Sequence, residues 1–279
     1  MPFRPEVLLA QQSGMMEWVD AVARTPLSSI LIFGIVLTAI RIGLSAYMKS
    51  VPKHFRFGLY SAARVLNDLL DAVLYAAIIV FMVVRPFAIQ TFLIPTGSMI
   101  KTLLVRDMIV ANKAVYRYSD PKVGDIVVFR PPAWGIPPDM PKNSDYIKRC
   151  VGVPGDLVEI RDSQLYRNGQ PAPEPFLNEK SYRYNFKLVN FNGEIFPLLE
   201  ESGVVNGFSN IAKYQLGPDQ WLDAWDRPAV KIPEGYYLMM GDNRNNSLDG
   251  RFWGLVPRRN IVGRCEFVWL PLNRIHKPK

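Results

Sequence analysis

A serine behind a glycine, two well-placed lysines and almost no histidine bound the chemistry open to this 279-residue chain. In Pro95-Thr96-Gly97-Ser98-Met99, Gly97 permits a tight or unusual backbone that exposes Ser98 and aims backbone N–H groups. A serine hydroxyl alone is a weak nucleophile and needs a base. The chain has 2 histidines. His54 lies in a basic loop and His276 in the C-terminal tail, neither beside a carboxylate in a strand-rich context. That argues against a Ser-His-Asp triad and against a histidine-ligated zinc site, so lysine is the natural base. Lys148 lies in Asp145-Tyr146-Ile147-Lys148-Arg149-Cys150-Val151. In a strand, Tyr146, Lys148 and Cys150 share one face, and Ile147, Arg149 and Val151 the other. Burial could lower a lysine by about 2–4 pK units, enough to leave a usable neutral amine. Taken alone, Lys148 reads as a surface lysine with a buried stem. A second candidate is Lys101, because Ser98-Met99-Ile100-Lys101 matches the S-x-x-K of β-lactamases. The Ser-Asp-Asn and Lys-Thr-Gly strings of those enzymes are absent from the chain.

A third cluster is Met240-Gly241-Asp242-Asn243-Arg244-Asn245-Asn246-Ser247-Leu248-Asp249-Gly250-Arg251. It is either a solvated turn or a loop whose polar groups bind one another and order a site. Cys150 and Cys265 are too few for a disulfide framework. A buried free thiol and a Cys150–Cys265 bridge both remain open at this stage.

Two apolar runs stand ahead of these residues. They predict transmembrane helices over 27–48 and 64–84, apolar on all faces rather than striped, unlike buried core helices. The long, nearly neutral start before the first run does not fit a cleaved secretory peptide. Between the runs, segment 49–63 and Arg64 carry Lys49, Lys53 and Arg56, while residues 1–26 balance Arg4 and Arg24 against Glu6, Glu17 and Asp20. The positive-inside rule makes the connecting loop cytoplasmic and puts residues 1–26 and 85–279 outside. The formal charge of +8 fits a basic juxtamembrane loop and anionic lipid. With no basic helix or RNA-binding aromatic motif, nucleic acid is not an expected partner.

Residues 85–279 read as mainly β. Met108–Val115, Asp125–Arg130, Tyr146–Val153, Leu157–Ile160, Tyr236–Met240 and Ile261–Leu270 are short runs set off by Gly and Pro. Asn168-Gly169 marks a hairpin. Phe87 to Pro95 is apolar and extended, a core strand whose neighbourhood could rest on lipid. Residues 163–232 show a weak pattern and read as an insertion or small subdomain.

The blocks 92–104, Pro121–Pro131, Tyr146–Asp156 and Met240–Pro257, in this order behind two apolar helices, resemble bacterial type I signal peptidases. The resemblance implies an antiparallel β catalytic body behind two transmembrane helices in the inner membrane. It implies a serine endopeptidase that removes signal peptides from exported preproteins after an Ala-x-Ala-like motif, without metal or cofactor. Ser98 would be the nucleophile and Lys148 the base. The Ser98 N–H and the Thr96 hydroxyl would form the oxyanion hole. Ser247 would orient Lys148, and Asp249 and Arg251 would pair, with Asp242 joining them. Phe92, Ile94, Val128 and Ile147 would shape apolar subsites for an extended substrate. Lys101 departs from the family pattern, which usually has proline there. Rival readings are a self-cleaving repressor-type protein with a related Ser-Lys fold and a non-enzymatic membrane module. The first would carry a helix-turn-helix where the apolar helices stand. The second would be expected to lose the serine or the lysine.

Overall fold

The computed structural model describes residues 25–84, 89–133, 144–191, 193–201, 204–206 and 223–279. The expectations for residues 1–24, Arg85, Phe87 and Ala88 lie outside the described residues. The chain forms two compact units, Met1–Thr91 and Phe92–Lys279.

The first unit is a helical hairpin. Helix α1 spans Leu27–Ser50. Helix α2 spans Leu59–Ile78 and continues as a π-helical turn, Ile79–Val84. The second helix thus starts earlier than residue 64, because Gly58, at φ 49°, turns the chain directly into it. Both helices are long and apolar enough to cross a membrane, with a mean hydropathy of 2.0. Their large side chains, among them Ile35, Ile42, Leu59 and Val65, are exposed, unlike those of core helices in a water-soluble protein. The exceptions face inward. Arg41 Nη1 lies 2.7 Å from Asp71 Oδ1 across the hairpin, and Gly34 stands against Leu74. Charges in so apolar a hairpin are costly unless paired, and here each meets its opposite.

The second unit is built from antiparallel sheets. In chain order its strands are β1 (Ile89–Leu93, which enters from the first unit), β2 (Met108–Asn112), β3 (Ile126–Phe129) and β4 (Tyr146–Gly152). Then come β5 (Val158–Arg161), β6 (Gln164–Arg167), β7 (Gln170–Pro171), β8 (Asn185–Phe191), β9 (Glu194–Glu201) and β10 (Val204–Asn206). The last are β11 (Tyr236–Met240), β12 (Val256–Pro257) and β13 (Ile261–Leu270). One sheet has the order β1-β2-β13-β3-β4-β11-β12, antiparallel from β2 onward. The other has the order β10-β9-β8-β5-β6-β7, antiparallel throughout.

Local chemistry explains the strand ends. β2 stops at Asn112, short of Val115, because the Asn112 side chain accepts from the Ala114 and Val115 N–H groups at 2.9 and 3.1 Å. That Asx turn feeds a short helix, α3, over Val115–Tyr118. Asn168 and Gly169, at φ 54° and 79°, make the β6–β7 hairpin turn, as the Asn-Gly pair predicts.

Residues 163–232 supply most of the second sheet. On β8, Phe186 and Leu188 pack toward the first sheet with Val151, Leu238 and Met240, while Val189 and Phe191 pack in a separate cluster with Ala224. Burial on both faces erases the alternation that would have announced the strand. Cys150 packs with Val127, Phe129 and Trp253, and Cys265 packs in a different cluster with Ile94 and Val268. Both are buried free thiols, so the structure removes the disulfide alternative.

Candidate active site

The serine sits where a strand runs out. After β1, Ile94 is held extended from both sides, its N–H donating to Asp107 O at 2.9 Å and its carbonyl accepting from Arg106 N at 2.8 Å. The chain then tightens into a 3-10 turn, Gly97–Met99, closed by Ile100 N to Gly97 O at 3.2 Å. A Cβ on Gly97 would stand 2.8 Å from Ile100 Cδ1, so a larger residue there would have to push the Ile100 side chain aside. Met99 and Leu103 are wholly buried and pin the turn into the core. Asp107 fixes the following loop, accepting from Leu104 N at 2.8 Å and from Arg274 at 2.8 and 2.9 Å.

β4 brings the lysine to that turn. Its register with β3 pairs Val127 with Lys148 and Val128 with Ile147. Lys148 Nζ lies 2.7 Å from Ser98 Oγ and donates to Ile147 O at 3.0 Å. The Lys148 side chain is buried, with the Tyr146 ring 5.8 Å from the amine. Burial pulls its pKa down from 10.5 to about 8, against the pull of Asp249 and Asp242 and with a smaller push from Arg251. Thr96 is exposed, and its Oγ1 lies 3.4 Å from Ser98 Oγ. Lys101 is exposed as well, so the S-x-x-K lysine is not the amine held at the serine.

The polar cluster is no solvated turn: Asp242, Asn243, Arg244, Ser247, Asp249 and Arg251 are all buried. Its ordering begins at Gly241, whose N–H donates to Asp249 Oδ2 at 2.9 Å. Arg251 grips the same carboxylate through Nε and Nη2, both at 2.9 Å. Burial alone would raise Asp249, but Arg251 and the Gly241 N–H hold it below its ordinary value. Asp249 also caps the short helix α4, Gly250–Trp253, accepting from Arg251 N at 3.1 Å. Asn243 joins the loop to the Ser98 turn. Its N–H donates to Ser98 O at 3.1 Å, and its side chain donates to Gly97 O at 3.0 Å.

Two expectations change here. Asp242 does not join Asp249 and Arg251. The β4–β11 register sets Met240 opposite Arg149, so Asp242 meets Arg149 instead, in a two-pronged pair of 2.9 and 2.7 Å. Thr102 donates to the same carboxylate. Ser247 does not bond Lys148. Its side chain is packed against Gly241 and faces the Asp249 carboxylate, which it helps hold below its ordinary value.

The four expected subsite residues gather in one apolar cluster. Ile94 and Val128 are almost wholly buried, while Phe92 and Ile147 keep partly exposed surface. Sequence reasoning missed Arg149, Asn243, Arg244 and Glu174. The first three stood inside quoted blocks and could have been found as polar neighbours of the proposed site residues. Glu174 lies in 163–232 and carried no signal.

Among the described residues no cluster of His, Cys, Asp and Glu suits a metal ion.

A family model for signal peptidases, peptidase S26, matches residues 66–270. A signal peptidase I of Pseudomonas aeruginosa is 34% identical over 222 residues, covering 70% of this chain and 70% of that protein. A signal peptidase I of Aquifex aeolicus is 35% identical over 224 residues, covering 70% and 81%. A crystal structure of a signal peptidase I from Enterococcus faecalis aligns at a TM-score of 0.31 and 24% identity, covering 52% of this chain and 97% of that one.

Proposed function

The chain belongs to the signal peptidase family, peptidase S26, and we propose that it cuts exported preproteins after an Ala-x-Ala-like motif with a Ser98–Lys148 dyad. Signal-peptide cleavage by a serine peptidase is the family's activity. The observation that carries the finer reading is the 2.7 Å contact between a buried amine and a hydroxyl.

Lys148, neutral, takes the Ser98 proton as Oγ attacks the scissile carbonyl. The drop from 10.5 to about 8 raises the neutral fraction near pH 7 by roughly 300-fold. The Ser98 N–H and the Thr96 hydroxyl stabilise the oxyanion. The Lys148 ammonium then protonates the leaving amine, and the freed base activates a water that hydrolyses the acyl-enzyme. Asp249, Arg251, Asp242 and Ser247 keep the covering loop in place. Phe92, Ile94, Val128 and Ile147 receive the small side chains of an extended signal peptide. The scheme uses neither metal nor cofactor. Helices α1 and α2 anchor the enzyme in the inner membrane, with the basic loop 49–63 in the cytoplasm and the peptidase body 85–279 outside. Within that body, residues 163–232 supply most of the second sheet.

The test is cleavage of a preprotein by the purified full chain. Ser98→Ala and Lys148→Ala, each folded, are inactive, and Lys101→Ala cleaves. Turnover by either dyad variant, or its loss in Lys101→Ala alone, contradicts the assignment.

A further inference from the structure

One residue of the 163–232 region reaches the loop that covers the serine. Glu174 lies between β7 and β8, and its side chain is 5% exposed. It faces Arg244, whose side chain is fully buried. Arg244 donates to both Glu174 oxygens, through Nη1 at 3.1 Å and through Nη2. The Tyr182 hydroxyl donates to Glu174 and accepts from Arg244 Nη1 at 3.0 Å. Burial raises the Glu174 carboxyl, and Arg244 opposes that rise.

Arg244 passes this anchorage on. Its Nε donates to Gly241 O at 3.0 Å, and its own carbonyl accepts from Arg251 Nη2 at 2.6 Å. Gly241 is therefore gripped at its carbonyl by Arg244 and at its N–H by Asp249. The same segment adds two contacts, with Phe176 stacked 3.8 Å from the Arg149 guanidinium and Asn178 N donating to Asp242 O at 3.3 Å.

We propose that Glu174 is a positioning residue for peptide cleavage, acting through Arg244 to hold Gly241–Asn243 against the Ser98 turn and keep water from Lys148. The proposal rests on the reading of Ser98 and Lys148 as nucleophile and base. A buried guanidinium that loses its carboxylate turns toward water, and Arg244 then releases Gly241 O. The loop lifts, and the Lys148 amine becomes hydrated. The groups facing that amine are Ser98 from the turn, Asp242, Asp249 and Arg251 from the loop, and the Tyr146 ring and Ile147 carbonyl from its own strand. On β3 its register partner is the uncharged Val127. Burial is the largest influence on Lys148, so hydration moves its titration back toward higher pH.

The experiment follows preprotein cleavage under single-turnover conditions from pH 6 to 10, using the full chain in detergent. In Glu174→Gln the rising limb moves up by about one pH unit, giving about tenfold slower cleavage at pH 7 that recovers at the alkaline end. Tyr182→Phe leaves both charges paired and shows a smaller shift in the same direction, and it carries the test if Glu174→Gln does not fold. A loss equal at every pH, or an unmoved limb, overturns the proposal. A flat wild-type profile overturns the assignment of Lys148 instead.

Discussion

Gly241 lies so close to Ser98 that a Cβ built on it would stand 2.6 Å from the Ser98 carbonyl oxygen and 2.2 Å from Ser247 Oγ. At Gly241 the polar loop and the Ser98 turn thus meet backbone against backbone. Gly241→Ala forces the two apart, because the Ser98 oxygen is backbone and cannot swing aside. Preprotein cleavage falls at least about tenfold, and the variant melts at a lower temperature than the wild type. Wild-type rates in Gly241→Ala would show that the contact is loose in solution.

With the proposed dyad, Lys148 sets the pH profile. Lys148, drawn down to about 8 by burial, is charged and idle at pH 6 and mostly neutral at pH 9. Cleavage therefore climbs through about pH 8 and levels off above it, with chemistry rate-limiting. Stability follows the same sign. The unfolded chain holds this proton up to 10.5, so the fold gains stability from Lys148 as pH rises from about 8 toward 10.5. Rate and denaturant midpoint measured across that range check both.

Thr96 places a hydroxyl 3.4 Å from Ser98 Oγ on an exposed turn. Thr96→Val keeps the shape and removes the donor. It lowers kcat by about 10²–10³-fold if the hydroxyl serves the oxyanion, and Thr96→Ser restores the rate. Equal rates in Thr96→Val and wild type would remove Thr96 from the chemistry.

Arg149 and Asp242 form a buried pair with side chains 4% and 0% exposed. Arg149→Met strands the Asp242 charge and costs about 3–5 kcal/mol of stability. The double variant Arg149→Met, Asp242→Leu loses less than the sum of the two single losses. Thermal or denaturant melts of the four proteins measure the coupling. Additive losses would mean that the pair is not formed in solution.

The fold was legible wherever one-dimensional pattern carries physical meaning. Long, mostly apolar runs can be buried only in lipid or a large core, and they marked both helices of the hairpin. Short β-branched runs between Gly and Pro marked β3, β4, β11 and β13 to within a residue or two. The second sheet was less legible, because β8 buries both faces and reads as neither alternating strand nor amphipathic helix.

The chain by itself determined the reactive vocabulary, which is a serine after a glycine, lysines in place of histidine, and a polar cluster after an apolar strand. Tertiary structure decided which of these groups meet. Ser98 and Lys148 are 50 residues apart, Arg244 and Glu174 are 70 apart, and Arg149 and Asp242 are 93 apart. Charge and residue type along a sequence do not encode which carboxylate a buried guanidinium will find. Strand register and the scarcity of room in a packed interior choose the partner, and they do so only once both sheets have closed on one another.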